Sequence, residues 1–352
     1  MTKKNPFTLS FGRKPNEYIE RNIDEEKIIT VFTEEPITDQ IFLLTGIRGC
    51  GKTVTMTNIS NQIADLDNWI VIKISPVDNI IDALFKNLIY NSKVHQVCLD
   101  AKIDISIFGI NVSVNSNLPD KNIIQAIDDI LKALQKRNIK VLVTIDEVTN
   151  TPQMVQFISA FQLLITNNRP IFFLGTALIE ELDSLQNTKN LTFLYRAPRV
   201  ILTPLNIRSI SNTYKRVFDC TQEEAIAMAH LTKGYPLAFQ ILGYVTWENK
   251  DKKILSDDTL NEFDSRIAES AYLKLWFELS TNDKNVMIAI TKSPSSNVKD
   301  IRSVTNMDIN KFNQYRRRLK EKGMIDTSEY GTIELSLPRF KEFIEFQEYE
   351  NI

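Results

Sequence analysis

Eight residues, Gly46-Ile47-Arg48-Gly49-Cys50-Gly51-Lys52-Thr53, constrain this chain more than any other stretch. They follow the apolar run Ile41-Phe42-Leu43-Leu44 and precede residues 54–63, which can continue as a helix. The spacing is glycine, four free positions, then Gly-Lys-Thr. Strand, glycine turn and helix start let the backbone turn its N–H groups inward, and the helix start adds positive potential. Such a turn is suited to holding phosphate. Glycine is otherwise scarce, with ten in 352 residues against a usual share of about 7%. Three in eight residues therefore mark a local backbone requirement.

On this reading Gly46, Ile47, Arg48, Gly49, Cys50, Gly51, Lys52, Thr53 and Val54 form a nucleotide-binding stretch. Lys52 would neutralise β and γ phosphates, and the Thr53 hydroxyl would take one Mg²⁺ position. Cys50 is read as a small residue that fits the loop. A site of this kind also needs a carboxylate on a neighbouring strand and an acid to activate water. The β-branched run at 141–145 ends in Asp146-Glu147, where the carboxyl end of a strand would face the loop. Asp146 is the expected magnesium ligand beside Thr53, and Glu147 the expected general base.

Further strands at 69–74, 171–174 and 199–202 alternate with helical stretches at 122–136 and 154–166. This order predicts an α/β fold with a doubly wound parallel sheet. Residues 102–114 alternate strictly and break at Gly109, which predicts an inserted β-hairpin. Beyond a helix at 263–279 come helices at 283–291, 298–305 and 310–322, a stop at Gly323, and a hairpin of 324–326 with 332–337. Three helices and a two-stranded wing describe a winged helix-turn-helix. The polar stretch 249–258 reads as a flexible joint.

The third of those helices carries Lys311, Arg316, Arg317, Arg318, Lys320 and Lys322 against the single acid Glu321. Phe312, Tyr315 and Leu319 form its buried stripe, which leaves Arg316, Arg317 and Lys320 outward to meet DNA phosphates. Packing against the core or a partner protein is the alternative. With 42 basic and 44 acidic residues, binding to nucleic acid must come from such a local patch.

Composition narrows the remaining classes. Hydrophobic residues make up 43% and charged residues 24%, so disordered and collagen-like chains drop out. No apolar run approaches the roughly 18 residues of a membrane span, and no signal peptide is read at the amino terminus. Three scattered cysteines, Cys50, Cys98 and Cys220, make neither a disulfide framework nor a metal box, and a cytoplasmic location is expected. His95 and His230 lack any arrangement of metal type.

Together, the loop at 46–53, the Asp146-Glu147 pair and Thr176 after the strand at 171–174 resemble an AAA+ or STAND-type P-loop ATPase of the archaeal-ATPase and origin-recognition-like group. The resemblance implies ATP and Mg²⁺ as cofactors, and a γ-phosphate sensor at Thr176. Tyr195-Arg196 followed by residues 200–205 is similar to the end of such an ATPase core. This makes Arg196 a candidate arginine finger in cis or in trans, with Arg199 competing. Lys233-Gly234-Tyr235-Pro236 resembles the lid motif G-x-P, in which the proline, here Pro236, packs on adenine. Origin-recognition proteins instead place an arginine early in the third lid helix. Asn5-Pro6-Phe7-Thr8, Phe11-Gly12 and Tyr18-Ile19-Glu20-Arg21 resemble the amino-terminal segment of bacterial relatives, with Glu20 standing where they have glycine. Arg21 is then the adenine-side residue.

The resemblance implies an amino-terminal segment at 1–39 packing near the nucleotide, an ATPase core at 40–205, a helical lid at 206–279 and a winged helix at 280–352. The expected activity is ATP hydrolysis by Lys52, Glu147 and Arg196, coupled through the winged helix to double-stranded DNA. A slow-turnover signalling switch, or an ATP-sensing transcription regulator whose winged helix binds protein, is the alternative. ATP or ADP, a nucleotide-dependent homo-oligomer or a protein partner, and no membrane complete the expected partners.

Overall fold

The computed structural model describes residues 4–9, 14–101, 120–188, 191–250 and 252–350. The hairpin expected at 102–114 lies outside the described residues, as do Phe11 and Gly12. Two compact units account for the chain, one of residues 22–45 and 52–201, the other of residues 1–21, 46–51 and 202–352.

The first unit contains, in chain order, α1 (Asn22–Thr33), β1 (Ile41–Thr45), α2 (Lys52–Ala64), β2 (Trp69–Ile74), α3 (Ile80–Tyr90), α4 (Ser92–Asp100), α5 (Asp120–Lys136), β3 (Lys140–Ile145), α6 (Pro152–Thr166), β4 (Ile171–Ala177), α7 (Ile179–Gln186) and β5 (Arg199–Ile201). Every position of β1, β3 and β4 is buried, as expected of parallel strands covered on both faces. One face supplies Ile41, Leu43, Ile70, Ile72, Val141, Val143, Ile171 and Phe173 to a core shared with Leu84, Phe85, Ile127, Phe157 and Phe161 of the helices. The other face presents Phe42 and Phe172, whose ring centroids lie 5.3 and 5.2 Å from that of Phe32 on α1. Helices therefore cover both faces, and the doubly wound α/β fold is present.

All five strands run parallel in the order β2-β3-β4-β1-β5. The acid strand is thus not the neighbour of β1, as the sequence suggested, because β4 lies between them. The register aligns Ile145 with Gly175 and Leu44 with Thr176, so Asp146 emerges beside Thr176.

The second unit holds α8 (Ile207–Phe218), α9 (Gln222–Leu231), α10 (Pro236–Glu248), α11 (Asp257–Ile267), a π turn at Ala268–Tyr272 and α12 (Leu273–Phe277). It continues through α13 (Thr281–Lys292), α14 (Val298–Thr305), α15 (Ile309–Glu321), β6 (Ile325–Asp326), β7 (Glu334–Leu335) and α16 (Phe340–Glu350). β6 and β7 pair antiparallel, and Asn297 bridges to Thr332. One core runs from Phe7 and Tyr214 through Phe239, Phe263 and Trp276 to Phe312 and Ile344. The expected lid and carboxy-terminal module are therefore packed as one body. Phe7 is 2% exposed and inserts against Gly243 of α10, where an added Cβ would come within 2.5 Å of its ring.

The stretch 249–258 carries side-chain bonds in its described residues. The Asn249 amide donates to Glu262 at 2.9 Å, and Lys252 pairs with Asp258 at 2.9 Å. α10 and α11 on either side share one core.

Candidate functional site

In the first unit, α2 begins at Lys52, so Lys52, Thr53 and Val54 form its opening turn. The Thr53 hydroxyl donates to Asp146 Oδ2 at 2.8 Å. Asp146 Oδ1 accepts from the hydroxyl of Thr176 on β4, which is fully buried. The same Thr176 oxygen accepts the Glu147 N–H at 2.9 Å, and the Thr176 carbonyl accepts the Val148 N–H at 2.7 Å. Two successive amides after β3 are thereby fastened to one residue of β4. Glu147 sits at φ +55°, a left-handed conformation that is uncommon outside glycine and costs on the order of 1 kcal/mol or more. The two bonds to Thr176 hold it there and leave the Glu147 side chain exposed.

Thr53 and Asp146 offer hard oxygen donors side by side. That set fits Mg²⁺, which takes one or two protein oxygens and keeps waters and phosphate oxygens for its other positions. Among the described residues no cluster of three or more His, Cys, Asp or Glu suggests any other metal.

The remainder of the phosphate loop, residues 46–51, belongs to the second unit. Gly46, Gly49 and Gly51 all have positive φ, at 144°, 79° and 92°. Cys50 is buried, and its N–H donates to the Ile47 carbonyl at 3.2 Å. Ile47 packs against the core of this unit, and Arg48 is half-buried. Pro236 opens α10 next to the loop, 3.8 Å from where a Cβ on Gly51 would stand. Arg21 is 9% exposed, and its guanidinium donates to the carbonyls of Cys50, at 3.0 Å, and Thr203. The structure places Arg21 on the loop backbone.

Of the two candidate fingers, Arg199 is bonded to α7 through Asp183 at 3.2 Å and through Gln186. Arg196 ends a 3-10 turn, Thr192–Arg196, and is exposed.

On α15, Phe312 and Leu319 are buried and Tyr315 is half-buried, its hydroxyl accepting from Asn282 at 2.9 Å. Arg316, Arg317 and Lys320 line a cleft of about 310 Å³ with Asn313 and Thr327. Arg317 also pairs with Glu321 at 2.9 Å. Arg318 is different, since it turns inward to the fully buried Asp283 of α13.

Sequence reasoning missed three contacts: the dual use of the Thr176 hydroxyl, the Arg318–Asp283 pair, and Tyr235, whose hydroxyl donates to the Arg48 carbonyl at 2.5 Å. One available signal was Gly49, a glycine at a position the motif leaves free.

Residues 21–167 match the family of ATPase domains found predominantly in Archaea. The match spans less than half of the chain. Residues 269–344 match a domain of unknown function (DUF8462). No curated protein matches the chain. Among solved structures, the chain is similar to a Walker-type ATPase of Pyrococcus abyssi at 16% identity and TM-score 0.66, covering 96% of this chain and 99% of that one. It is also similar to the ORC2 protein of Aeropyrum pernix, solved as ADPNP-ADP complexes, at 14% identity and TM-score 0.63, covering 97% and 98%. Cdc6p from Pyrobaculum aerophilum follows at 15% identity and TM-score 0.50, covering 98% and 97%. These likenesses establish an α/β P-loop NTPase fold. Among the described residues no helix is long and apolar enough to cross a membrane.

Proposed function

We propose that the chain binds Mg²⁺·ATP at residues 46–54, hydrolyses it, and couples nucleotide state to a carboxy-terminal winged helix that acts on double-stranded DNA. The observation that carries the hydrolytic reading is the Thr53–Asp146–Thr176–Glu147 bonding chain. It orients the two hydroxyls and the Asp146 carboxylate by mutual bonds, and it fixes the backbone that presents Glu147.

Bound Mg²⁺, held by Thr53 and Asp146, would offset charge on the β and γ phosphate oxygens. Lys52 and the loop amides would hold those oxygens, and Glu147 would take a proton from the attacking water as it adds to the γ phosphorus. ADP leaves with its β oxygen carrying the released charge, which Lys52 and the exposed Arg196 are suited to stabilise.

Three helices followed by an antiparallel ribbon support the winged-helix reading of residues 280–352. The three cations around the α15 cleft support duplex DNA as its target, since guanidinium and ammonium groups meet phosphates from a groove-facing helix. Contacts within the second unit support coupling. Ile47 of the phosphate loop faces Gly323 at the end of α15, where an added Cβ would lie 3.6 Å from the Ile47 Cβ. Lys233 of the lid motif donates to the Leu335 carbonyl of the ribbon at 2.7 Å. These same contacts favour, as a second reading, a switch in which binding matters more than turnover.

Calorimetry and phosphate release test both readings. Lys52→Ala should lose Mg²⁺·ATP binding, and unchanged affinity would sink the nucleotide reading. Glu147→Gln should keep binding and lose turnover. Equal turnover would remove Glu147 as base, and negligible turnover in the wild type would favour the switch.

A further inference from the structure

The glycine–lysine motif does not explain Gly49, which occupies one of its free positions. The lid does. A Cβ at Gly49 would lie 2.2 Å from the Tyr235 hydroxyl oxygen and 2.8 Å from its ring, and φ there is +79°. Tyr235 precedes α10 as its N-cap, yet its side chain makes no capping bond. The hydroxyl instead donates to the Arg48 carbonyl at 2.5 Å. The Leu237 N–H, in the first turn of α10, donates to the Gly49 carbonyl at 3.3 Å. Arg21 donates to the Cys50 carbonyl at 3.0 Å and ties it to the Thr203 carbonyl. Three successive carbonyls of the loop are thus held by donors from outside it.

A peptide group is planar, with its C=O and N–H pointing in opposite directions. Fixing the carbonyls of residues 48, 49 and 50 therefore fixes the directions of the N–H groups of Gly49, Cys50 and Gly51. The Cys50 N–H closes a turn on the Ile47 carbonyl at 3.2 Å, and the N–H groups of such a loop are what hold phosphate oxygens. Tyr235 is 5% exposed, and burial pushes its phenol well above the ordinary value, so it stays a donor at neutral pH.

We propose that Tyr235, together with Arg21, is a positioning residue for phosphate binding, fastening the loop from its carbonyl side so that lid placement sets its grip on the nucleotide. This inference rests on the nucleotide reading above and extends it to a residue that would touch no ligand atom. Displacing α10 would release two of the three carbonyls together, so lid movement and phosphate affinity are linked.

Tyr235→Phe removes one hydroxyl and keeps the ring. It should weaken Mg²⁺·ATP binding by calorimetry roughly three- to tenfold, the equivalent of one net hydrogen bond. Hydrogen exchange in the nucleotide-free protein should speed up at the amides of residues 49–51 and stay unchanged through α10. Arg21→Gln should act in the same direction, and serves as the second variant if Tyr235→Phe melts at a lower temperature. Unchanged affinity with unchanged exchange in the loop would overturn the inference while leaving the nucleotide reading intact. Faster exchange throughout α10 would also overturn it, since Tyr235 would then be holding the lid together. Failure of the wild type to bind Mg²⁺·ATP would remove the nucleotide reading and this inference with it.

Discussion

Replacing Thr176 by valine tests whether the acid pair depends on β4. The substitution keeps the shape of a fully buried side chain and deletes only the hydroxyl. Two bonds disappear, one donated to the Asp146 carboxylate and one accepted from the Glu147 N–H. A hydrogen bond to a charged group contributes about 1.5–3 kcal/mol, and a buried donor left without a partner costs about 1–3 kcal/mol. Asp146 is half-buried, so water can replace part of the first loss, and about 2–3 kcal/mol in total is expected. For a unit of roughly 170 residues this lowers Tm by about 4–12 °C. Catalysis should suffer more than stability, because Glu147 at φ +55° loses one of the two bonds that hold its backbone. Phosphate release should fall at least tenfold while Mg²⁺·ATP affinity changes little, and Thr176→Ser should recover most of it. Unaltered Tm and turnover in Thr176→Val would refute the claim that this hydroxyl organises the acids.

Two further outcomes follow from charge. Arg169 forms a bidentate pair with Asp128, at 2.8 and 2.7 Å, and holds that carboxyl below its ordinary value. Its stabilising effect is full above the unfolded value of about 3.9 and is lost as pH falls through the lower folded value. Asp128→Asn should therefore cost about 1–3 kcal/mol at pH 7 and progressively less below about pH 4. Urea midpoints between pH 3 and 7 measure this, and a pH-independent difference would reject it. For the α15 cleft, replacing Arg316, Arg317 and Lys320 together by alanine should reduce the salt dependence of duplex binding by about two to three units of log–log slope, near 0.9 per phosphate contact. An unchanged slope would shift the proposed partner of the helix from DNA to protein.

What could be read from the sequence was set by how local each requirement is. β1, β3 and β4 are buried at every position, so they appear as continuous apolar runs whatever surrounds them. The phosphate loop is equally legible, because its glycines answer to the backbone's own geometry and its lysine and threonine follow at fixed spacing. Strand order is not a local property, and nothing in residues 141–147 shows that β4 separates them from β1. The role of Thr176 depends on that order, since only the alignment of Ile145 with Gly175 brings its hydroxyl to Asp146. Arg318 illustrates the same limit on a helix. It stands next to the buried Leu319 at the edge of the apolar stripe, where periodicity leaves an arginine free to face solvent. What turns it inward is Asp283, which is fully buried on α13 and whose charge would be costly without a partner. Gly49 falls between these cases. Its presence at a free position was visible, but its reason lies 186 residues away in the Tyr235 hydroxyl. A glycine that a motif does not demand is thus a cue to look for a bulky group pressed against the backbone, and here that group comes from the lid.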